Sequence, residues 1–337
     1  MMSKIINELS APYRAVITGS GSFVPDKLLT NDDLAKMVDT SDEWITSRTG
    51  IKVRHIANDK ETTAFLASEA AKKALACAKL DPADLEMLIV ATVTPEMVFP
   101  ATSCFVQSAI GAKNACVFDL HAACSGFIYS LGIVQQFLES GRYQNALVIG
   151  AETLTKITNW KDRASCILFG DGAGAVVFER KNNGSGILYS TMSADGDNWE
   201  ALNCQAYGSR YPADKKLDDP NKIYMEIKGR QVYQQAIRRI VEAVNECLKA
   251  CNLTLDDIDM MISHQMNGRI IESAAKRLNL PDEKVFITIA EYGNTSAASV
   301  PMAFDECIRK GRIKQGDIIV MVAFGAGLTW GANVIRL

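Results

Sequence analysis

The sequence predicts an α/β protein made of two copies of one helix-and-strand unit, with mainly parallel strands. Three observations carry this reading. Leu75-Ala76-Cys77-Ala78-Lys79-Leu80, leading to Asp84-Leu85-Glu86-Met87-Leu88-Ile89, is echoed by Leu248-Lys249-Ala250-Cys251-Asn252-Leu253, leading to Asp257-Ile258-Asp259-Met260-Met261-Ile262, each position 173 residues further on. Ser140-Gly141-Arg142, followed by the apolar run Ala146-Leu147-Val148-Ile149-Gly150, has its counterpart in Lys310-Gly311-Arg312 followed by Ile318-Ile319-Val320; Gly141 and Gly311 are 170 residues apart. Between residues 181 and 224 the composition turns to Asn, Gly, Asp, Pro and Lys, as a linker or excursion between two halves would. The halves are expected at 1–182 and 183–337.

The elements follow in order. Arg14-Ala15-Val16-Ile17-Thr18-Gly19 reads as a strand ending in a Gly/Ser turn, and Gly19-Ser20-Gly21-Ser22 completes neither a dinucleotide fingerprint nor a Walker pattern. Thr30-Asn31-Asp32-Asp33 and Ser41-Asp42-Glu43-Trp44 read as capped helix starts. Trp44 and Arg48, four apart, would share a helical face, as plain packing or as a platform for a base and a phosphate. An alanine-rich helix at 62–79, a strand at 84–92, a helix from Phe99-Pro100 to Ala109 and a buried strand at 115–120 come next. After another helix and the strand at 146–150, residues 167–178 read as two strands about a glycine turn. Tyr233, Ala236, Ile237, Ile240, Val244, Cys247 and Leu248 form the apolar stripe of a core-facing helix.

Composition bounds the function. With 337 residues, 48% hydrophobic and 22% charged, the chain is an ordinary globular protein able to bury a large core. A net charge of -3 and a pI of 5.8 support neither a nucleic-acid partner nor an anionic membrane surface. Nine scattered cysteines with no Cys-x-x-Cys pair suit reduced thiols, and His55, His121 and His264 lack metal-ligand spacing, so no metal is expected. Residues 1–14 lack the apolar core of a signal peptide and no run reaches transmembrane length, so a cytoplasmic protein is expected.

Cys124 falls where the strand at 115–120 runs into a helix carrying Phe127, Leu131, Val134 and Leu138. Unpaired N–H groups at a helix start lower a thiol pKa, so Cys124 is a candidate nucleophile; a buried structural cysteine is the other reading. Adding 170 to its number lands on Asn294, in Gly293-Asn294-Thr295-Ser296-Ala297-Ala298-Ser299, after an apolar strand expected at 285–289. His264 follows the strand Met260-Met261-Ile262, at the end where clefts form, although lone histidines are more often structural. Phe324-Gly325-Ala326-Gly327-Leu328-Thr329-Trp330-Gly331 reads as a strand turning through glycines, either a plain hairpin or a source of N–H groups for an oxyanion.

Asp-x-x-x-Ala-Cys-x-Gly-Phe at 119–127, His-Gln-x-Asn at 264–267, Gly-Asn-Thr-Ser-Ala-Ala-Ser at 293–299 and Phe-Gly-x-Gly-x-Thr-Trp-Gly at 324–331 together resemble the motifs of the β-ketoacyl-acyl carrier protein synthase III family. The likeness extends to Asp42-Glu43-Trp44-Ile45, Arg48-Thr49-Gly50-Ile51, Phe99-Pro100, Asp162-Arg163 and Phe169-Gly170-Asp171-Gly172-Ala173-Gly174, and spans nearly the whole chain. It implies a thiolase-like fold, two duplicated halves in a layered αβαβα arrangement. It also implies a decarboxylating Claisen condensation: an acyl group, commonly from acetyl-CoA, is loaded on the cysteine and condensed with malonyl-acyl carrier protein, starting type II fatty acid synthesis with no resident cofactor.

By the same resemblance Cys124 is the nucleophile, while His264 and Asn294 donate hydrogen bonds to the enolate oxygen. Cys124 and Ala326 supply oxyanion N–H groups, and Phe324 shields the malonyl carboxylate. Trp44 and Arg163 sandwich the adenine of CoA, Arg48 and Arg269 face its phosphates and the incoming carrier, and Asn267 holds the pantetheine arm. Arg269, Lys276 and Arg277 dock the acidic carrier protein, unless they are simply a solvated basic face. Phe99 reaches across a homodimer interface to the partner's primer pocket.

Three departures bear on substrate entry: Met266 where the family has alanine, Arg230 where many members have asparagine, and a long loop at 195–221. The alternatives are a related acyltransferase or condensing enzyme of secondary metabolism or long-chain acyl condensation, and, from another class, a non-catalytic acyl-thioester or carrier-binding protein. A degradative thiolase is disfavoured because the 325–331 turn holds no second cysteine.

Overall fold

The computed structural model describes residues 12–337, so most of the segment inspected for a signal peptide lies outside the described residues. The strands are β1 (Arg14–Phe23), β2 (Leu28–Thr30), β3 (Val53–His55), β4 (Met87–Ala91), β5 (Cys116–Leu120), β6 (Asn145–Thr153), β7 (Asp171–Lys181), β8 (Gly186–Ala194), β9 (Leu202–Asn203), β10 (Glu226–Ile227), β11 (Met260–Ser263), β12 (Ile318–Gly325) and β13 (Thr329–Arg336). The helices are α1 (Asn31–Ala35), α2 (Asp42–Thr49), α3 (Thr63–Ala78), α4 (Thr102–Ile110), α5 (Gly126–Glu139), α6 (Arg163–Cys166), α7 (Gly229–Ala250), α8 (Gly268–Arg277), α9 (Ile289–Tyr292) and α10 (Ser299–Arg309).

One sheet has the order β1-β7-β6-β4-β5 and the other β8-β13-β12-β11, with Val285 bridging Met261 in parallel where a fifth strand would stand. Alternate residues of each strand face opposite layers. Met87, Ile89, Ala146 and Val148 meet Phe127, Leu131 and Val134 of α5, while Leu88, Val90, Leu147 and Ile149 join the alanines of α3. In the second sheet Ile319 and Met321 share the central layer with Val300 and Phe304 of α10. Val320 and Val322 lie in the outer one with α7 and α8. The result is α3, sheet, α5 with α10, sheet, α7 with α8: five layers, αβαβα.

The expectation of mainly parallel strands is corrected. β4 lies parallel to β5 and β6, and β11 parallel to β12, but β7 and β13 run antiparallel to both neighbours. The connection from β12 to β13 is too short for the helical crossover that parallel strands require.

Glycines misled the sequence reading twice. Gly19 and Gly21 lie inside β1, where a Cβ would stand 2.5 Å from Ala74 O and 2.6 Å from Ala74 N of α3. Gly174 lies inside β7, 2.5 Å from Met302 N by the same measure. These residues permit helices to approach a sheet rather than turn the chain. Residues 167–170 accordingly precede a single strand, and the polar excursion after residue 181 contains the edge strand β8.

The duplication keeps one register. Met87 and Met260, Gly126 and Ser299, and Asn145 and Ile318 open corresponding elements, each pair 173 apart. The 170 offset at Gly141 and Gly311 arises because α10 has 11 residues and α5 has 14. One helical turn is missing and the next loop restores it. The counterpart of Cys124 is therefore Ala297, and that of Asn294 is His121, which corrects the pairing of Cys124 with Asn294. Left-handed residues mark the equivalence: Ala123 has φ 47° and Ser296 has φ 48°. Nor is 285–289 a strand, since only Val285 pairs and α9 begins at Ile289.

Candidate active site

Cys124 stands on a tight turn, Ala123–Ser125, between β5 and α5. The left-handed conformation of Ala123 costs on the order of 1–3 kcal/mol, which surrounding contacts must offset. They come from the far end of the chain. Thr329 Oγ1 donates to Ala122 O at 3.0 Å, and Ser125 Oγ donates to Thr329 O at 3.1 Å. Gly325 packs so close that a Cβ there would lie 2.8 Å from Cys124 N. The next residue, Ala326, turns its N–H to the Cys124 sulfur, as Cys124's own N–H does.

Cys124 keeps some contact with solvent yet sits deep among neighbouring atoms, and burial pushes its thiol up to about 12; the Ser296 hydroxyl and these two N–H groups pull the other way. The expectation of a lowered thiol pKa is thus corrected. Cys124 precedes the first residue of α5 by two positions, and desolvation outweighs the helix end.

His264 follows β11 and donates its N–H to Val322 O at 2.8 Å on β12. Its Nδ1 lies 2.6 Å from Ser299 Oγ, the first residue of α10. The same oxygen accepts the Gln265 N–H at 3.3 Å and keeps its own hydrogen to give to Nδ1, the arrangement in which Nε2 carries the imidazole proton. Burial pushes the imidazole down to about 3, so His264 is neutral at physiological pH.

Asn294 is fixed by its neighbours. Its Oδ1 accepts the Ser296 N–H at 2.9 Å, its N–H donates to Leu168 O at 2.9 Å, and its carbonyl accepts from Gly170 N at 3.1 Å. The side-chain NH2 is left to donate. Residues 294–299 thus hold the carboxamide, bind the imidazole through Ser299 and pack the Ser296–Ala298 turn against the turn that carries Cys124. Phe324, 1% exposed, precedes the glycine that abuts the cysteine.

The outer candidates divide. The Arg163 guanidinium lies 4.8 Å from the Trp44 ring centroid and that of Arg48 5.7 Å, joining α6 to α2. Arg163 and Trp44 lie against each other rather than apart as the two sides of an open sandwich. Asn267 is partly committed: its Oδ1 caps α8 by accepting Arg269 N–H at 2.9 Å, and its Nδ2 donates to Arg48 O at 3.2 Å. Arg269, Lys276 and Arg277 are exposed on α8, and Arg230 is exposed at the start of α7. Phe99 is 79% exposed beside Val98 at 87% and is not part of the cysteine site of its own chain.

Met266, the first of the three departures that bear on substrate entry, is buried in the apolar layer with Ile270 and Phe324. The long loop at 195–221 is fastened to the site by Asp195 and Leu328, whose N–H groups donate to each other's carbonyls at 2.8 and 2.7 Å. It also carries β9, paired with β10. Among the described residues, no cluster of His, Cys, Asp or Glu is arranged to hold a metal ion, and no helix is long and apolar enough to cross a membrane.

Sequence reasoning missed Ser299, the partner of His264. It lies inside a quoted motif, but nothing in residue order says which neighbour a hydroxyl meets.

A duplicated five-layer fold with a cysteine at the turn into its central helix defines a thiolase-like condensing enzyme. Comparison with known proteins narrows the class. Residues 118–196 match the family model 3-oxoacyl-[acyl-carrier-protein (ACP)] synthase III, and residues 248–337 match its C-terminal model. The beta-ketoacyl-[acyl-carrier-protein] synthase III of Caldanaerobacter subterraneus subsp. tengcongensis is 57% identical over 322 residues, 96% of this chain and 97% of that protein. The crystal structure of 3-oxoacyl-[acyl-carrier-protein] synthase III from Aquifex aeolicus superposes with a TM-score of 0.90 at 47% identity, covering 96% of this chain and 100% of that one. A priming β-ketosynthase from the R1128 polyketide pathway gives a TM-score of 0.90 at 33% identity, over 98% of each chain. The chain belongs to the β-ketoacyl-acyl carrier protein synthase III family, the condensing acyltransferases that initiate fatty acid synthesis.

Proposed function

We propose that the protein condenses an acyl-CoA primer, acetyl-CoA first among them, with malonyl-acyl carrier protein to give a 3-oxoacyl-acyl carrier protein, CO2 and free CoA. The observation that carries the proposal is the convergence of Cys124, His264 and Asn294 through residues 294–299. Cys124 attacks the primer thioester, and the tetrahedral oxyanion is held by the N–H groups of Cys124 and Ala326. Malonyl thioester then enters with its carbonyl oxygen toward Nε2–H of His264 and Nδ2–H of Asn294. As CO2 leaves, negative charge grows on that oxygen, and two neutral donors in a dry site stabilise it. Neutral His264 suits this part: it donates a hydrogen bond without needing to ionise. Phe324 keeps water from the carboxylate, favouring departure of an uncharged gas.

Trp44, Arg163, Arg48, Arg269 and Asn267 bind CoA and the pantetheine arm, and Arg269, Lys276 and Arg277 receive the acidic carrier protein. Phe99 completes the primer pocket of a second copy in a homodimer. The halves at 1–182 and 183–337 divide the chemistry, one giving the nucleophile and the other both enolate donors. The enzyme works in the cytoplasm with no bound cofactor. A second reading, priming of polyketide synthesis, is favoured by the likeness to the R1128 ketosynthase and differs in the primer taken.

Intact-mass analysis after mixing with a panel of acyl-CoAs, followed by CO2 release on adding malonyl-acyl carrier protein, tests both. Cys124→Ser is expected to abolish the acyl adduct, and His264→Ala to abolish CO2 release while still acylating. Absence of any adduct on the wild-type Cys124 would overturn the proposal.

A further inference from the structure

Arg54, the middle residue of β3, is completely buried although it carries a charge. Its guanidinium forks: Nη1 donates to Asn31 Oδ1 at 2.6 Å, and Nη2 donates to Ile167 O. Both acceptors are neutral oxygens. The negative charge of Asp42 is reached at one remove, through Asn31, whose Nδ2 donates to Asp42 Oδ1 at 2.7 Å and to Ile51 O at 2.8 Å. Arg54 Nε is buried with no hydrogen-bond partner. Burial lowers the guanidinium to about 10, so it stays a cation at neutral pH. A buried cation paired this way is a poor source of stability, because an apolar side chain of similar volume would serve the core as well. The arginine is better explained by what it holds.

It holds the segment that ends in Asn294. The stem of Arg54 lies against two glycines: a Cβ on Gly170 would stand 3.3 Å from Arg54 Cβ, and one on Gly293, which is left-handed at φ 65°, 3.2 Å from Arg54 Cγ. Ile167, fixed by Nη2, opens the stretch that pairs with Asn294. Leu168 O accepts the Asn294 N–H at 2.9 Å, Phe169 bridges Asn294 in parallel, and Gly170 N–H donates to Asn294 O at 3.1 Å. The neighbours of Arg54 along the chain grip the same segment: Lys52 N–H donates to Ala290 O at 3.1 Å, and the His55 ring stacks on that of Tyr292 with centroids 5.7 Å apart.

We infer that Arg54 is a positioning residue for Asn294 in the decarboxylation step. Its fork and its stem set the placement of residues 167–170 and 293, and through them the direction of the Asn294 carboxamide toward the enolate oxygen. A guanidinium suits this part because its rigid plane reaches two oxygens at once, where an ammonium on a flexible stem is a single point of attachment. The arm through Asn31 and Asp42 joins the same support to α2.

This rests on Asn294 donating to the enolate oxygen, and the test separates the two ideas. Arg54→Lys, Asn294→Ala and the double variant are compared for loading of Cys124 from acetyl-CoA, read by intact mass, and for CO2 release from malonyl-acyl carrier protein by enzyme acylated beforehand. Arg54→Lys keeps the charge and one attachment. It is expected to lower kcat for CO2 release at least about tenfold, with KM and loading near wild type. In the double variant the loss is expected to equal that of Asn294→Ala alone, because a support adds nothing once the supported group is gone. Losses that multiply, an equal fall in loading and release, or wild-type release by Arg54→Lys each overturn the inference about Arg54 alone. Wild-type release by Asn294→Ala overturns the enolate reading, and this inference with it. Should Arg54→Lys fail to fold, Arg54→Met, which fills the site without burying a charge, decides by the same cycle.

Discussion

Replacing Ser299 with alanine removes the hydroxyl that fixes the imidazole of His264. The lost hydrogen bond to Nδ1 is 2.6 Å long and fully buried. A bond of this kind contributes roughly 0.5–1.5 kcal/mol net. Since about 1.4 kcal/mol is tenfold in a population, the tautomer with its proton on Nε2 falls by up to about that factor. A ring freed to tilt adds to the loss, because misplacement by an ångström can cost about a hundredfold in rate. The Gln265 N–H also loses its acceptor, which costs roughly 1–3 kcal/mol of stability. Ser299→Ala should therefore release CO2 from malonyl-acyl carrier protein about 10- to 100-fold more slowly while loading of Cys124 stays near wild type. The assay reads the two half-reactions separately, adduct by intact mass and CO2 by trapping. A variant that loads and decarboxylates at wild-type rates would refute the account of how His264 is held.

Two further tests address the cysteine turn and the exposed apolar corner. Gly325→Ala would put a methyl group 2.8 Å from Cys124 N and 3.1 Å from its Cβ, an overpacking expected to cost about 1–3 kcal/mol and slow acylation; an unshifted thermal midpoint with full loading would contradict that contact. Phe99→Asp places a charge on a side chain that is 79% exposed and adjoins Val98. On the proposed homodimer it should shift the sedimentation of the protein toward the monomer, and a dimer unaltered by the change would refute the proposed place of Phe99 at its interface.

Periodicity and repetition carried the fold a long way. The apolar alternation of β4 and β6 and the stripe on α7 are written in residue order, because each reflects one strand or helix facing its layers. The glycines of β1 and β7 were misread because their purpose lies in helices more than fifty residues away, and no local pattern distinguishes a turn from a close approach. The 170 offset misled for a related reason: it measured a missing helical turn, not the register of the turn that holds the cysteine. At the site, Cys124, His264 and Asn294 were legible through their motifs. The protonation states of the first two were not, since a thiol raised to about 12 and an imidazole lowered to about 3 come from atoms packed around them. Ser299 belongs to the same category.

The clasp between Thr329 and the residues flanking Cys124 spans more than two hundred positions, one to β13, the last strand of the chain. During synthesis Cys124 therefore emerges long before the segment that encloses it. A chain halted before residue 326 lacks both the Ala326 N–H and the Thr329 clasp, so the surroundings of Cys124 are assembled only once β12 and β13 have folded against its turn.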